Sequence, residues 1–342
     1  MDKNNNGLSG LVNLGNTCFI NSCIQVISHT HELNNLLNSK TFQSKIKNNN
    51  EGMLLLEWDE LRKLMWNENC VISPNKFIKK IQTVSEIKGI DIFTGYQQND
   101  LPEFLIFLID CFHNALSREV NMNISGKIVN KTDKMAKECF NMVKKMYSRE
   151  YSEIWDLFYG VHISQIISID NKTVLSNTPE PFFIIDLPIP SNNKNPTLMD
   201  CFELYLQGEI LEDSNAWYNE KTKEKQNVIK KLSYWSLPNI LVIDIKRFTI
   251  NNKKLKILVD FPLNDLNLCK YVIGYKKNTY IYDLYAICNH TGNVYGGHYT
   301  SFVKNMNEKW YHFNDNNITE ISDLNKLITS NAYCFFYRKR KS

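Results

Sequence analysis

Apolar residues recur at three- and four-residue spacing through much of the chain from Leu8 to about Phe158. Phe104, Leu105, Leu108, Ile109 and Phe112, for example, fall on one face of a 3.6-residue helix. From about Val161 onward the pattern changes to short runs that alternate or stay apolar. Val161-His162-Ile163-Ser164-Gln165-Ile166 and Ile240-Leu241-Val242-Ile243-Asp244-Ile245 are two of them, and Pro and Asn break the runs as they do between strands. A polar loop is expected at Ser191-Asn192-Asn193-Lys194-Asn195-Pro196, and the charged stretch from Glu220 to Lys231 is expected to end in solvent. Helices come first and strands after, without alternation, which predicts an α+β fold rather than a wound α/β one. A cleft between the two lobes is then the natural place for a site. No internal repeat is apparent, and 342 residues fit one elaborated domain or two.

Composition narrows the class. Hydrophobic residues are 43% of the chain, enough for a packed interior and too many for a disordered one. The net charge of +4 lies partly in Arg338, Lys339, Arg340 and Lys341, and gives no basis for a nucleic-acid partner. The start, Met1-Asp2-Lys3-Asn4-Asn5-Asn6, is polar, and no apolar run reaches the length of a signal core or membrane span. A soluble, intracellular and cytoplasmic protein with no membrane partner is expected. The bias toward Asn, Lys and Ile fits an A/T-rich genome, with host cytoplasm as the location if the source is a virus. Nine cysteines at 18, 23, 70, 111, 139, 201, 269, 288 and 334 show no paired CxxC spacing, so a disulfide framework is not expected, and each thiol needs separate grounds before it is called reactive.

Two clusters supply such grounds. In Gly10-Leu11-Val12-Asn13-Leu14-Gly15-Asn16-Thr17-Cys18-Phe19-Ile20-Asn21-Ser22-Cys23 a Gly- and Asn-rich turn runs into a helix-like segment, which places Cys18 at a helix start. Unpaired N–H groups and the positive dipole end there favour thiolate, and such settings lower a cysteine pKa from about 8.5 to roughly 3.5–7.5. The Asn13 amide, with the Cys18 backbone N–H, is suited to stabilise the oxyanion of a tetrahedral intermediate. Asn and Gly are also ordinary turn residues, so this segment alone admits a purely structural role. Cys18, Cys23, His29 and His31 match no common zinc spacing.

The second cluster is Tyr285-Ala286-Ile287-Cys288-Asn289-His290-Thr291-Gly292-Asn293-Val294-Tyr295-Gly296-Gly297-His298-Tyr299-Thr300, followed by Trp310-Tyr311-His312-Phe313-Asn314-Asp315. It reads as strand, Gly-rich loop, strand. His298 after two glycines has the close access that a general base at a cleft requires. Asn314 or Asp315 can hold the imidazole in one orientation, although Asn-Asp equally suits a hairpin turn.

The two clusters, in this order and this far apart, resemble the Cys box and His box of the ubiquitin-specific proteases. Between them, Gln97-Gln98-Asn99-Asp100-Leu101-Pro102-Glu103-Phe104-Leu105 is similar to that family's Gln-Asp-Glu helix start. Leu237-Pro238-Asn239-Ile240-Leu241-Val242-Ile243-Asp244-Ile245-Lys246-Arg247-Phe248 is similar to its Leu-Pro strand ending in Lys-Arg-Phe. Four ordered motifs span almost the whole chain. The resemblance implies a papain-like fold in one catalytic domain, with a helical thumb at about 8–158, fingers with part of the palm at 159–240 and palm at 241–340. It implies Cys18 on the thumb and His298 on the palm, facing across a cleft, with Asn314 as third triad member and Asp315 as an adjacent acid able to support or replace it.

The same resemblance implies that Asp100 and Tyr299 grip an extended ubiquitin tail, with Gln98 and Glu103 beside that site and Gly296 and Gly297 lining it. The expected partners are ubiquitin and ubiquitinated proteins, the expected state a monomer, and neither metal nor organic cofactor is needed for the chemistry. Many family members hold zinc at the fingertips through two CxxC pairs, where this chain has Ser168, Asn171, Asn219 and Thr222, so zinc-free fingers are expected. No appended targeting or binding domain is expected, since the motifs begin by Leu8 and end near Tyr337. The alternatives are a catalytically silent ubiquitin-binding scaffold, which needs a broken triad or blocked cleft, and the same chemistry on a ubiquitin-like modifier.

Overall fold

The computed structural model describes residues 5–39, 41–95, 97–249 and 251–341; the polar opening from Met1 to Asn4 lies outside them. Its first half is helical, with α1 (Cys18–Ser28), α2 (His31–Leu37), α3 (Phe42–Lys45), α4 (Asn50–Asn67), α5 (Asn75–Lys88), α6 (Leu101–Leu116), α7 (Lys131–Tyr147) and α8 (Glu153–Phe158). One short parallel pair, β1 (Gly10–Leu11) with β2 (Val71–Ile72), lies among them. Local chemistry sets several of the helix ends. The Asn49 side chain accepts from Gly52 N–H to start α4, and Asn130 and Asp133 form a reciprocal capping box at α7.

After Phe158 the chain turns to sheet: β3 (Gly160–Ser168), β4 (Val174–Phe182), β5 (Ile184–Leu187), then α9 (Leu198–Leu206), β6 (Glu209–Leu211), β7 (Trp217–Asn219), β8 (Glu224–Gln226) and β9 (Val228–Ser236). The remaining strands are β10 (Ile240–Ile245), β11 (Leu266–Asn267), β12 (Ile281–Asn293), β13 (Gly296–Lys304), β14 (Trp310–Asn314), β15 (Asn317–Ile321) and β16 (Ala332–Lys339). The palm sheet runs β15-β14-β13-β12-β16-β10-β5, with β11 beside β12; the finger sheet runs β4-β3-β9-β6, and β7 pairs with β8 beyond it.

Two apolar layers fix the palm. One face of its sheet packs under α9 through Phe202, Leu241, Ile243 and Phe335. The other meets the thumb, where Ile24, Phe104, Val242, Cys288, Phe313 and Phe336 belong to one continuous core. Every residue of α1 is buried, because this helix lies between α6 and strands β12 to β14. That central position brings the Cys18 end of α1 against the palm, so the helical lobe and the sheet lobe are joined by the helix that carries the thiol.

Two expectations need correction. The charged stretch after Glu220 does not simply end in solvent: Glu224–Gln226 forms β8, and β9 runs from Val228, with Lys230 and Lys231 exposed along it. Pairing to β3 and β6 supplies what its charge obscured. His298 is not on a loop either. Gly296, Gly297 and His298 already belong to β13, in register with Asn293, Gly292 and Thr291, and only the two residues Val294 and Tyr295 turn the hairpin.

Candidate active site

Cys18 is the first residue of α1 and its side chain is buried, 2% exposed. The backbone N–H groups of Tyr299, Phe19 and Cys18 itself favour its thiolate, but burial outweighs them and the nearby Asp315 charge adds to it. The thiol is therefore held above its ordinary value in the unliganded chain. This corrects the expectation of a lowered pKa from helix position alone: the dipole acts, but desolvation is larger. Cys23, fully buried in the same helix, is pushed up much further by burial alone.

His298 lies half-buried on β13, next in chain to Tyr299, whose backbone meets the thiol. Its Nε2 is 2.7 Å from Asn314 Oδ1. An amide oxygen only accepts, so this bond places the proton on Nε2 and leaves Nδ1 as the basic nitrogen. Asn314 ends β14, and Asp315 opens the two-residue turn to β15 with φ at 50°. The hairpin and the orienting group are thus the same feature.

Asp315 does not touch the imidazole but reaches the thumb. Its Oδ2 accepts from Asn13 Nδ2 at 3.0 Å, its Oδ1 from Asn21 Nδ2 at 2.8 Å, and its carbonyl from Leu11 N–H at 2.9 Å. Asn13 is further held by its own oxygen, which accepts from the Gly15 and Thr17 N–H groups, both at 3.1 Å. Gly10 is required beside this turn, since a Cβ there would come within 2.5 Å of the Asn316 carbonyl oxygen. Asn314 therefore orients the His298 imidazole, and Asp315 fixes the Asn13 amide.

Of the remaining predicted residues, Gln98, Asp100, Gly296, Gly297 and Tyr299 line a cavity of about 290 Å³ together with Phe248 and His290, and Glu103 does not. A groove of about 520 Å³ between α7 and β4 is larger but shares none of these residues. Gln98 clasps the palm: its Nε2 donates to the Gly297 carbonyl and its Oε1 accepts from Gly297 N–H, each at 2.7 Å. Gly296 has room, since a Cβ there would meet only Gln98 Oε1 at 3.4 Å. At Gly297 a Cβ would come within 2.2 Å of His290 Nε2 and 2.3 Å of the Thr291 carbonyl oxygen. Gly297 is thus demanded by its own hairpin before any ligand arrives.

Asp100 sits at the N-cap of α6 without using its side chain as a cap. The carboxylate instead accepts from Tyr299 Oη at 3.0 Å and from Tyr333 Oη at 3.0 and 3.2 Å. Burial raises its pKa, the two phenols lower it, and the charge of Glu103, exposed in the first turn of α6, adds to the rise. Glu103 therefore stands beside the group rather than in it. Tyr333 and Asn21 were not singled out from the sequence. Tyr333 lies in the apolar run Ala332-Tyr333-Cys334-Phe335-Phe336-Tyr337, and Asn21 within a helix that reads as core; a phenol or amide inside such a run was the available signal.

Among the described residues no set of three or more His, Cys, Asp or Glu is placed to hold a metal. The four fingertip positions do not fit zinc. Ser168 Oγ accepts from Thr173 N–H, Asn219 donates to Gln226 Oε1 and accepts from Lys221 N–H, Thr222 accepts from Gln226 Nε2, and Asn171 takes a left-handed turn with φ at 57°. Among the described residues no helix is long and apolar enough to cross a membrane.

A thiol on the thumb, an oriented imidazole on the palm and a Gly-lined cavity beside them form the geometry of a cysteine hydrolase. The family model for ubiquitin carboxyl-terminal hydrolase matches residues 9–337. The chain belongs to that family. Human ubiquitin carboxyl-terminal hydrolase 2 is 34% identical over 348 residues, covering 98% of this chain and 56% of its own length. The chicken (Gallus gallus) protein of the same name is 33% identical, covering 97% of this chain and 93% of its own length. The chain spans about half the length of the human, bovine and rat relatives of that name. Among solved structures, the Ubp8-containing SAGA DUB module bound to ubiquitin aldehyde superposes with a TM-score of 0.73 at 23% identity, over 100% of this chain and 71% of that one. The ubiquitin carboxyl-terminal hydrolase fold, papain-like with thumb, fingers and palm, is thus present throughout.

Proposed function

We propose that this chain is a thiol-dependent deubiquitinase that hydrolyses the peptide or isopeptide bond after the C-terminal glycine of ubiquitin. The observation that carries this reading is the pairing at the lobe junction: Cys18 heads α1 against the Tyr299 backbone, and His298, one residue earlier, is fixed through Nε2 by Asn314. His298 Nδ1 takes the thiol proton as sulfur attacks the glycine carbonyl, and later gives it to the leaving amine. The carbonyl oxygen becomes an oxyanion that the Cys18 backbone N–H and the Asn13 amide stabilise, so Asn13 shares or exchanges its bond to Asp315 as charge develops. Water then cleaves the thioester and restores the thiol.

A thiol held up by burial until a base removes its proton stays protected from stray oxidants and is engaged as the tail fills the channel. The Gly-lined cavity and the Asp100 carboxylate suit an extended Gly-Gly end and exclude larger side chains. Ubiquitin and its conjugates are the partners this reading assigns, acting on a monomer that needs no cofactor. Hydrolysis of a fluorogenic ubiquitin C-terminal amide by the wild-type chain and by Cys18→Ala tests it. Activity abolished in the variant is expected. Silence of a folded wild type toward ubiquitin, with labelling of Cys18 by another modifier's probe, would overturn the assignment.

A further inference from the structure

Asp100 presents an uncommon arrangement. A carboxylate at a helix N-cap ordinarily accepts from the N–H of the second or third residue of the first turn, yet this one makes no such cap bond and meets two phenols, with the adjoining Leu101 N–H a lesser influence. The two phenols differ. Tyr299 follows His298 and bonds only Asp100 Oδ1, whereas Tyr333, 3% exposed at the start of β16, bonds both oxygens and so fixes the plane of the carboxylate. Tyr333 is itself wedged between aromatic neighbours, with Phe248, His290 and Tyr299 rings at centroid distances of 5.9, 6.0 and 6.2 Å.

We infer that Tyr333 is a positioning residue for tail recognition: its hydroxyl sets the orientation of the Asp100 carboxylate toward the channel and keeps it an acceptor. The inference rests on the reading of Asp100 as the group that accepts N–H donors of an extended peptide end. The charged and titratable groups around Asp100 are Tyr299 on β13, Tyr333 and the buried Cys334 on β16, Glu103 on α6, His290 on β12 across the same cavity and, behind them on β10, the buried Asp244. Burial pushes the Asp244 carboxyl well above its ordinary value and so favours its uncharged form, while the Glu103 charge acts on Asp100 from α6. Burial raises the Asp100 pKa, and of the influences that lower it the Tyr333 hydroxyl is the largest. Without it the carboxyl keeps the Tyr299 hydroxyl on Oδ1, loses the donor that spans both oxygens and holds its proton to higher pH.

Tyr333→Phe removes one oxygen and leaves the ring packing in place, so the fold is expected to persist. With ubiquitin C-terminal amide as substrate, kcat/KM is expected to fall roughly tenfold, carried by KM, with the acid limb of its pH profile displaced upward. In a double-mutant cycle with Asp100→Asn the two effects should not add, because Tyr333 acts through Asp100. Additive losses, or a Tyr333→Phe variant with wild-type KM and pH profile, would overturn the inference. Carbon-13 NMR titration of the Asp100 carboxyl in the free chain separates this from the functional reading, since it needs no ubiquitin. A higher midpoint in Tyr333→Phe is expected, and an unchanged midpoint overturns the role of Tyr333 even if the chain hydrolyses ubiquitin. An inactive wild type with the midpoint displaced would instead remove the deubiquitinase reading and keep the hydrogen bond.

Discussion

Asp315 exerts two opposite influences on the chemistry of Cys18. Its charge holds the thiol up, while its carboxylate fixes the Asn13 amide. Asp315→Asn keeps the shape but loses the charge, and an amide NH₂ cannot accept from Asn13 or Asn21, so one of the two bonds is lost. The pH midpoint of Cys18 alkylation by iodoacetamide is expected to fall, while turnover of the ubiquitin amide drops by about 10²–10³ through the freed oxyanion donor. Lower turnover without the alkylation change would mean that the charge does not reach Cys18. Asn314→Ala removes the acceptor that His298 Nε2 has among the described residues and should cost about 10²–10⁴ in kcat, measured at the pH optimum. Asn314→Asp should retain activity in kcat/KM on the same substrate, because a carboxylate accepts the same bond and stabilises the imidazolium. At this scale Cys18, His298 and Asn314 were legible because they stand in distinctive motifs. Which of Asn314 and Asp315 meets the imidazole was not, since one residue's difference in a hairpin turn decides which strand face each side chain takes.

The elements that sequence periodicity located best are those with a clear apolar face, such as α6 with Phe104, Leu105, Leu108 and Phe112 fully buried. The fingers were harder to read. Their short strands β6, β7 and β8 expose most of their residues and are held by pairing to β9 or to each other, which a single segment does not reveal. Side-chain and backbone hydrogen bonds close the tip, with Asn219 bonded to both Gln226 and Lys221. Asn219→Ala is expected to cost about 1 kcal/mol by urea denaturation, with faster amide exchange confined to residues 217–226 and unchanged Cys18 alkylation. Dialysis against a strong chelator should leave both the thermal midpoint and turnover where they were, since the tip offers hydroxyl and amide groups rather than thiolates or imidazoles. A drop in either would place a metal in the fingers.

Across the whole molecule, burial lowers the pKa of five of the seven histidines. His29 is pushed down to about 3, His31 and His290 to about 4, and His113 and His312 are lowered as well, in each case chiefly by burial. A histidine with a depressed pKa stays neutral in the fold when the unfolded chain has already taken up a proton. Its contribution is therefore intact above about 6.5 and is lost as pH falls toward the folded value. The buried carboxyls oppose this, because burial raises Asp100 and Asp244 and so favours proton uptake by the fold over the unfolded chain. Five lowered histidines stand against two raised carboxyls, so stability is expected to fall as pH drops from 6.5 to 5, most steeply at the acid end, where the unfolded histidines are nearly all protonated. Urea denaturation at half-unit pH steps measures this slope. His29→Asn preserves a donor toward the Gln25 carbonyl, which lies 2.7 Å from Nδ1, and removes one titrating group, so the slope should flatten. An unchanged slope in that variant would show that His29 does not carry the acid sensitivity, and a wild-type profile flat from pH 6.5 to 5 would show that the carboxyls balance the histidines in full.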